Sequence, residues 1–197
     1  MKIKLNDDQV EIARQAHRFI ENEYPMEYVR EMFEDSRGFT DDSWNKMVEM
    51  GWTAMLIPEA YGGLDMDLMD LCVILEEMGK SVTPGPLFST VLLAAETIKV
   101  AGGERQKEKY LTGIAEGELR GTLALSEPDG GADLGYVRME ARAEGDRFSL
   151  SGTKLFVPDA HTADFLIVAA RTGEGDEPGG GISLFLLDTG AKGISIS

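Results

Sequence analysis

Before Gly121 the apolar residues recur at the three- and four-residue spacing of helices; after it they alternate or cluster as in strands. Asn6 followed by Gln9 forms a capping-box signature. Behind it Ile12, Ala13, Ala16, Phe19 and Ile20 share one helical face until Pro25 interrupts the run. Thr40 caps a further helix with Trp44, Met47, Val48 and Gly51 on its apolar side. Leu68, Leu71, Cys72 and Leu75 make a stripe that Gly79 stops. Leu87, Val91, Ala94, Ala95 and Ile98 make another, ended by Gly102 and Gly103. Tyr110, Leu111 and Ile114 mark a shorter helix closing near Gly117. The aromatic and methionine side chains on these faces read as core contacts between helices, not as a cofactor box.

Beyond Gly121, Val137, Met139, Ala141 and Ala143 alternate with Arg138, Glu140 and Arg142, the pattern of a half-buried strand. Glu144-Gly145-Asp146 is a turn, and Phe148 and Leu150 continue as the returning strand of a hairpin. Phe165 to Ala170 and Ile182 to Leu187 are continuous apolar runs, expected as buried strands. The segment 172–181 between them is polar and glycine-rich, hence an exposed loop. No helix follows its glycines, so they form no phosphate cradle. The expected architecture is α+β. An all-helical bundle domain over residues 1–120 precedes an incomplete antiparallel β-barrel or sandwich domain over residues 121–197.

Charge narrows the function. The 35 acidic against 19 basic residues leave a net charge of -16, a surface that repels nucleic-acid backbones and anionic lipid. No apolar run approaches the ~18 residues of a membrane span, and the first residues have no apolar signal region. Cys72 is the single cysteine, so no intrachain disulfide forms and a reducing, cytoplasmic location is expected. Among Leu71, Val73, Ile74 and Leu75 it reads as a buried, inert thiol. His17 on a helix and His161 in a polar loop are expected to be exposed, with no serine or aspartate partner for nucleophilic catalysis. No cluster with metal-ligand spacing is present.

Two segments carry the chemistry. Ala124-Leu125-Ser126-Glu127-Pro128-Asp129-Gly130-Gly131-Ala132-Asp133 runs from an apolar strand into a Glu-Pro stop, a glycine pair and an acid. Ser151-Gly152-Thr153-Lys154-Leu155-Phe156-Val157-Pro158 follows one hairpin later. Earlier, Ile57-Pro58-Glu59-Ala60-Tyr61-Gly62-Gly63-Leu64 and Glu76-Glu77-Met78-Gly79-Lys80 precede Gln106-Lys107 and Tyr110-Leu111. In this order and spacing the motifs resemble the acyl-CoA dehydrogenase family over essentially the whole chain.

The resemblance implies an FAD-dependent oxidation of an acyl-CoA thioester to the 2-enoyl thioester. In that reaction a carboxylate takes the α-proton and the flavin takes the β-hydride. It also implies electron-transfer flavoprotein as acceptor and a homo- or hetero-oligomer. Carried over residue by residue, Leu125, Ser126, Phe156, Val157 and Pro158 fall at cofactor-binding positions, and Ala132 and Asp133 at substrate-binding positions. Phe156 stands where the family usually has a tryptophan flanking the flavin ring. Pro158 stands where it has a threonine or serine that bonds flavin N5, and offers neither hydroxyl nor amide hydrogen. Ala132 replaces a common serine. Glu127, held extended before Pro128, is structural in the family, so no catalytic base is assigned. The family continues into a base-bearing C-terminal helical domain, and the chain alone is expected to be inactive. The alternatives are a noncatalytic subunit of a heteromeric dehydrogenase, or a flavin monooxygenase or acyl-CoA oxidase on the same scaffold.

Overall fold

The computed structural model describes residues 4–128, 130, 134–174 and 180–197. They divide into two compact units, Met1–Glu118 and Leu119–Ser197.

Local signals set the helix starts of the first unit. α1 (Asp7–Glu23) begins at Asn6, whose side chain accepts the Gln9 amide while Gln9 returns the bond, a reciprocal capping box. Pro25 separates α1 from α2 (Met26–Glu34). Thr40 caps α3 (Asp41–Glu49) in the same reciprocal way with Ser43. Asp67 caps α4 (Leu68–Lys80). The apolar stripe from Leu87 to Ile98 is buried throughout, as its spacing predicts. It runs through a wider, π-helical segment, Phe88–Ala95, into α5 (Glu96–Ala101). α6 (Glu104–Gln106), a π-helical segment Lys107–Leu111 and α7 (Thr112–Ala115) complete the unit.

Its core is built around Trp44 and Met47, as the sequence leads one to expect, and Trp52 joins them, all at most 4% exposed. The Trp44 indole donates to the Gly117 carbonyl at 2.9 Å, so even its polar atom is satisfied. Two expectations fail on α4. Cys72 is exposed and Leu68 is 48% exposed, whereas Leu71, Ile74 and Met78 face the core. Spacing alone admits either set. α1, packed against α4, selects the 71–74–78 row. Gly79 does not stop the helix, which runs on to Lys80.

The second unit holds β1 (Gly121–Ala124), β2 (Glu140–Glu144), β3 (Arg147–Ser151), β4 (Phe165–Arg171) and β5 (Ile182–Asp188). The β2–β3 hairpin pairs Glu144 with Arg147 across a turn in which Gly145 takes a φ of +63°. β5 runs antiparallel to β4 along its whole length. β1, however, pairs parallel with β4, Gly121 beside Phe165, and Glu140 of β2 meets Arg171 in the same sense. The sheet is therefore mixed, not the antiparallel barrel or sandwich expected from sequence. A parallel pair needs a long crossover, and residues 125–164, which include the hairpin, supply it. β4 is buried through Ala170, while β5 is only half-buried, unlike its apolar pattern suggested. Residues 192–197 form no strand. Among the described residues no helix is long and apolar enough to cross a membrane.

Two glycines test the packing in opposite directions. A Cβ at Gly63 would stand 1.8 Å from the Ile57 carbonyl oxygen, whereas one at Gly79 meets nothing within 4 Å. Gly63→Ala is expected to destabilise the chain by about 3 kcal/mol or more. Gly79→Ala, inside a helix, is expected to stabilise it by about 0.5–1 kcal/mol. Urea denaturation of both variants reads the two signs, and equal shifts would contradict the packing described.

Candidate functional site

The two motif segments meet in the second unit. β1 ends at Ala124, and Pro128, which has no amide hydrogen, prevents further ladder pairing. Between them Leu125 and Ser126 are half-buried. Glu127 turns inward and is 8% exposed. Its carboxylate accepts the amides of Arg138 at 2.8 Å and Met139 at 3.0 Å, and the Lys154 ammonium at 2.7 Å. Lys154 also donates to the Leu125 carbonyl at 3.0 Å, and the Leu155 amide donates to the Ser126 carbonyl at 2.9 Å. The segments around Ser126 and Phe156 are thus laced side by side.

Burial alone pushes the Glu127 carboxyl up, but the Lys154 ammonium and the amides of Met139 and Arg138 outweigh it. The net effect holds the group below the ordinary carboxylate range.

Beyond Lys154 the chain turns its side chains in alternate directions. Phe156 is 92% exposed and has a φ of +53°, a left-handed conformation that costs a bulky residue about 1–2 kcal/mol. Val157 is half-buried and packs against the cluster of Ala124, Ala163, Leu166 and Val168. Pro158 is exposed and opens a turn in which the amides of Thr162 and Ala163 donate to the Asp159 carbonyl. Asp164 closes the segment by accepting the Arg120 amide at 2.8 Å. This contact sits at the start of the β1–β4 pair and fixes its register.

The site residues expected from sequence therefore divide. Ser126 keeps its amide and hydroxyl without a partner among the described residues, beside the outward ring of Phe156. Leu125 contributes backbone, its carbonyl already engaged by Lys154. Val157 anchors the segment in the core, and Pro158 offers the surface no donor. Ala132 and Asp133 lie outside the described residues. His17 reaches two carboxylates, Glu77 at 3.3 Å and Glu21 at 3.4 Å. Among the described residues no group of three metal-ligating side chains converges.

Sequence reasoning overlooked Lys154, although it lay inside a quoted motif. A lone ammonium beside the apolar run Leu155-Phe156-Val157 was the available signal, since a buried lysine requires a counter-charge.

An open donor pair beside an exposed, outward-held aromatic ring is an arrangement for a planar ligand with a polar edge. Residues 6–118 match the acyl-CoA dehydrogenase N-terminal domain and residues 122–197 its middle domain. The short-chain specific acyl-CoA dehydrogenase of Clostridium acetobutylicum is 32% identical over 200 residues, covering 100% of this chain and 52% of that protein. CarC, a subunit of the caffeyl-CoA reductase-Etf complex of Acetobacterium woodii, is 32% identical over 187 residues, covering 94% and 49%. The butyryl-CoA dehydrogenase structure from Megasphaera elsdenii superposes with a TM-score of 0.81 at 29% identity, covering 98% and 51%. The chain spans about half the length of the curated relatives it matches. FAD is the cofactor of this family. On these grounds the chain belongs to the acyl-CoA dehydrogenase family.

Proposed function

We propose that this chain carries one wall of an FAD site in an acyl-CoA dehydrogenase that converts an acyl-CoA thioester to the 2-enoyl thioester. Residues 1–120 serve as its helical domain and 121–197 as part of its middle domain, in a cytoplasmic oligomer. The observation that carries the proposal is that the amide and hydroxyl of Ser126 have no partner among the described residues, on a segment laced to that of Phe156, which is 92% exposed. FAD, when bound, supplies the two-electron acceptor for the hydride. The protein groups orient it. Ser126 would donate at the polar edge, and Phe156 would offer an aromatic face that carries no hydrogen-bond donor. Val157, half-buried beneath and packed against the core, would keep that face turned outward. The acceptor proposed for the electrons is electron-transfer flavoprotein, in line with the Etf complex to which the relative CarC belongs.

Glu127 is not the base. Both its oxygens are engaged, by Lys154 and by two backbone amides, and it is held ionised without a free approach for a substrate proton. The proton acceptor is therefore proposed to lie outside the described residues, and the purified chain is expected to show no acyl-CoA turnover in a dye-reduction assay. Pro158 favours a second reading, a noncatalytic subunit of a two-component dehydrogenase. This residue provides no hydrogen-bond donor at the end of the Phe156 segment. Co-purification with a second dehydrogenase chain that holds the flavin would select that reading.

Two measurements test the site. FAD added to the chain is expected to bind saturably with quenching of its fluorescence. Phe156→Ala should weaken binding about two- to twelvefold, the worth of an aromatic contact of about 0.5–1.5 kcal/mol; equal affinities would count against the site. The second concerns Glu127, whose folded pKa is depressed. Its stabilising contribution is present above the ordinary carboxylate pKa and is lost as pH falls through the lower folded value. The stability gap between wild type and Glu127→Gln, from urea melts, should stay constant near neutrality and shrink on acidification. A gap that widens in acid would reverse the assignment.

A further inference from the structure

Lys154 and Glu127 form the most deeply buried ion pair among the described residues, with side chains 6% and 8% exposed. Nothing in the proposed chemistry uses either charge. Stability does not explain the pair, because withdrawing two ions from water costs about as much as their attraction returns, and an apolar pair often serves as well. Position does explain it. Leu125 and Ser126 stand immediately before Glu127, and Leu155 and Phe156 immediately after Lys154. The ammonium grips the carbonyl of Leu125 and the carboxylate of Glu127 together. That carboxylate is itself fixed by the consecutive amides of Arg138 and Met139 at the entry to β2.

Phe156 needs such a hold. Its left-handed backbone is unfavourable for a bulky side chain, and a ring 92% exposed recovers no burial in return. The conformation persists because both flanks are pinned. On one side are Lys154 and the Leu155 amide bound to Ser126; on the other is the packed side chain of Val157.

We infer that Lys154 and Glu127 are positioning residues, whose buried pairing sets the spacing and orientation of the Ser126 donors relative to the Phe156 ring. The inference rests on the flavin reading for its purpose, though not for its geometry. The ammonium offers what an apolar pair cannot, a directed grip on a backbone carbonyl one residue from the donors.

The test uses amide correlation spectra of the 197-residue chain, with and without FAD, in Lys154→Met and Glu127→Gln. Near-ultraviolet circular dichroism confirms folding well below each melting temperature. Glu127→Gln retains an acceptor for the two amides and decides the matter if Lys154→Met does not fold. The expected result in a folded variant has two parts. The Ser126 and Phe156 amide signals move while the Leu155 amide exchanges at least tenfold faster, and the FAD-induced shifts at Ser126 and Phe156 require at least tenfold more FAD. Loss of stability alone would leave the FAD response of the folded fraction unchanged. A folded variant with wild-type Leu155 exchange and wild-type FAD response overturns the inference. If the wild-type chain shows no FAD-induced shift at Ser126 or Phe156, the flavin reading fails, and the Leu155 exchange comparison still decides the positioning role.

Discussion

A lysine and a glutamate withdrawn from water together must meet each other and must also satisfy every remaining hydrogen-bonding atom that burial exposes to an apolar surrounding. In this chain that requirement ties Lys154 and Glu127 to three backbone positions, Leu125, Arg138 and Met139. The strand end after β1, the entry to β2 and the segment before β4 are consequently joined at one point. Removing one partner of such a pair typically costs about 3–5 kcal/mol, so the arrangement resists small distortions. Ser126 and Phe156 sit on either flank of it, and their mutual geometry follows from it.

The mixed sheet makes this meeting possible. Because β1 and β4 run parallel, Arg120 and Asp164 bind each other at the start of both strands. The segment that leads into β4 then returns past the end of β1. An antiparallel pairing of the same two strands would carry that segment to the opposite end. Gly121 contributes by having no side chain, since a Cβ there would stand 2.2 Å from the Phe165 ring.

What could be read from sequence was what depends on near neighbours. The caps at Asn6 and Thr40 and the hairpin turn at Gly145 each involve residues a few positions apart, and all appear in the structure. The face of α4 was misread because Leu68, Leu71, Cys72 and Leu75 share helical spacing as well as Leu71, Ile74 and Met78 do, and only α1 distinguishes them. The parallel pairing of β1 with β4 was missed for a related reason, as strand alternation carries no direction. At the site, the motifs pointed to Ser126 and Phe156. The role of Lys154 was hidden because its partner Glu127 is far away in sequence.

The central claim is that Ser126 and Phe156 form one preorganised wall for a flavin ring. A crystal structure of this chain grown with FAD tests it most directly. The account predicts the ring lying against Phe156 with its polar edge at the Ser126 amide and hydroxyl. A ring bound elsewhere, or Phe156 folded inward against the core, would contradict it.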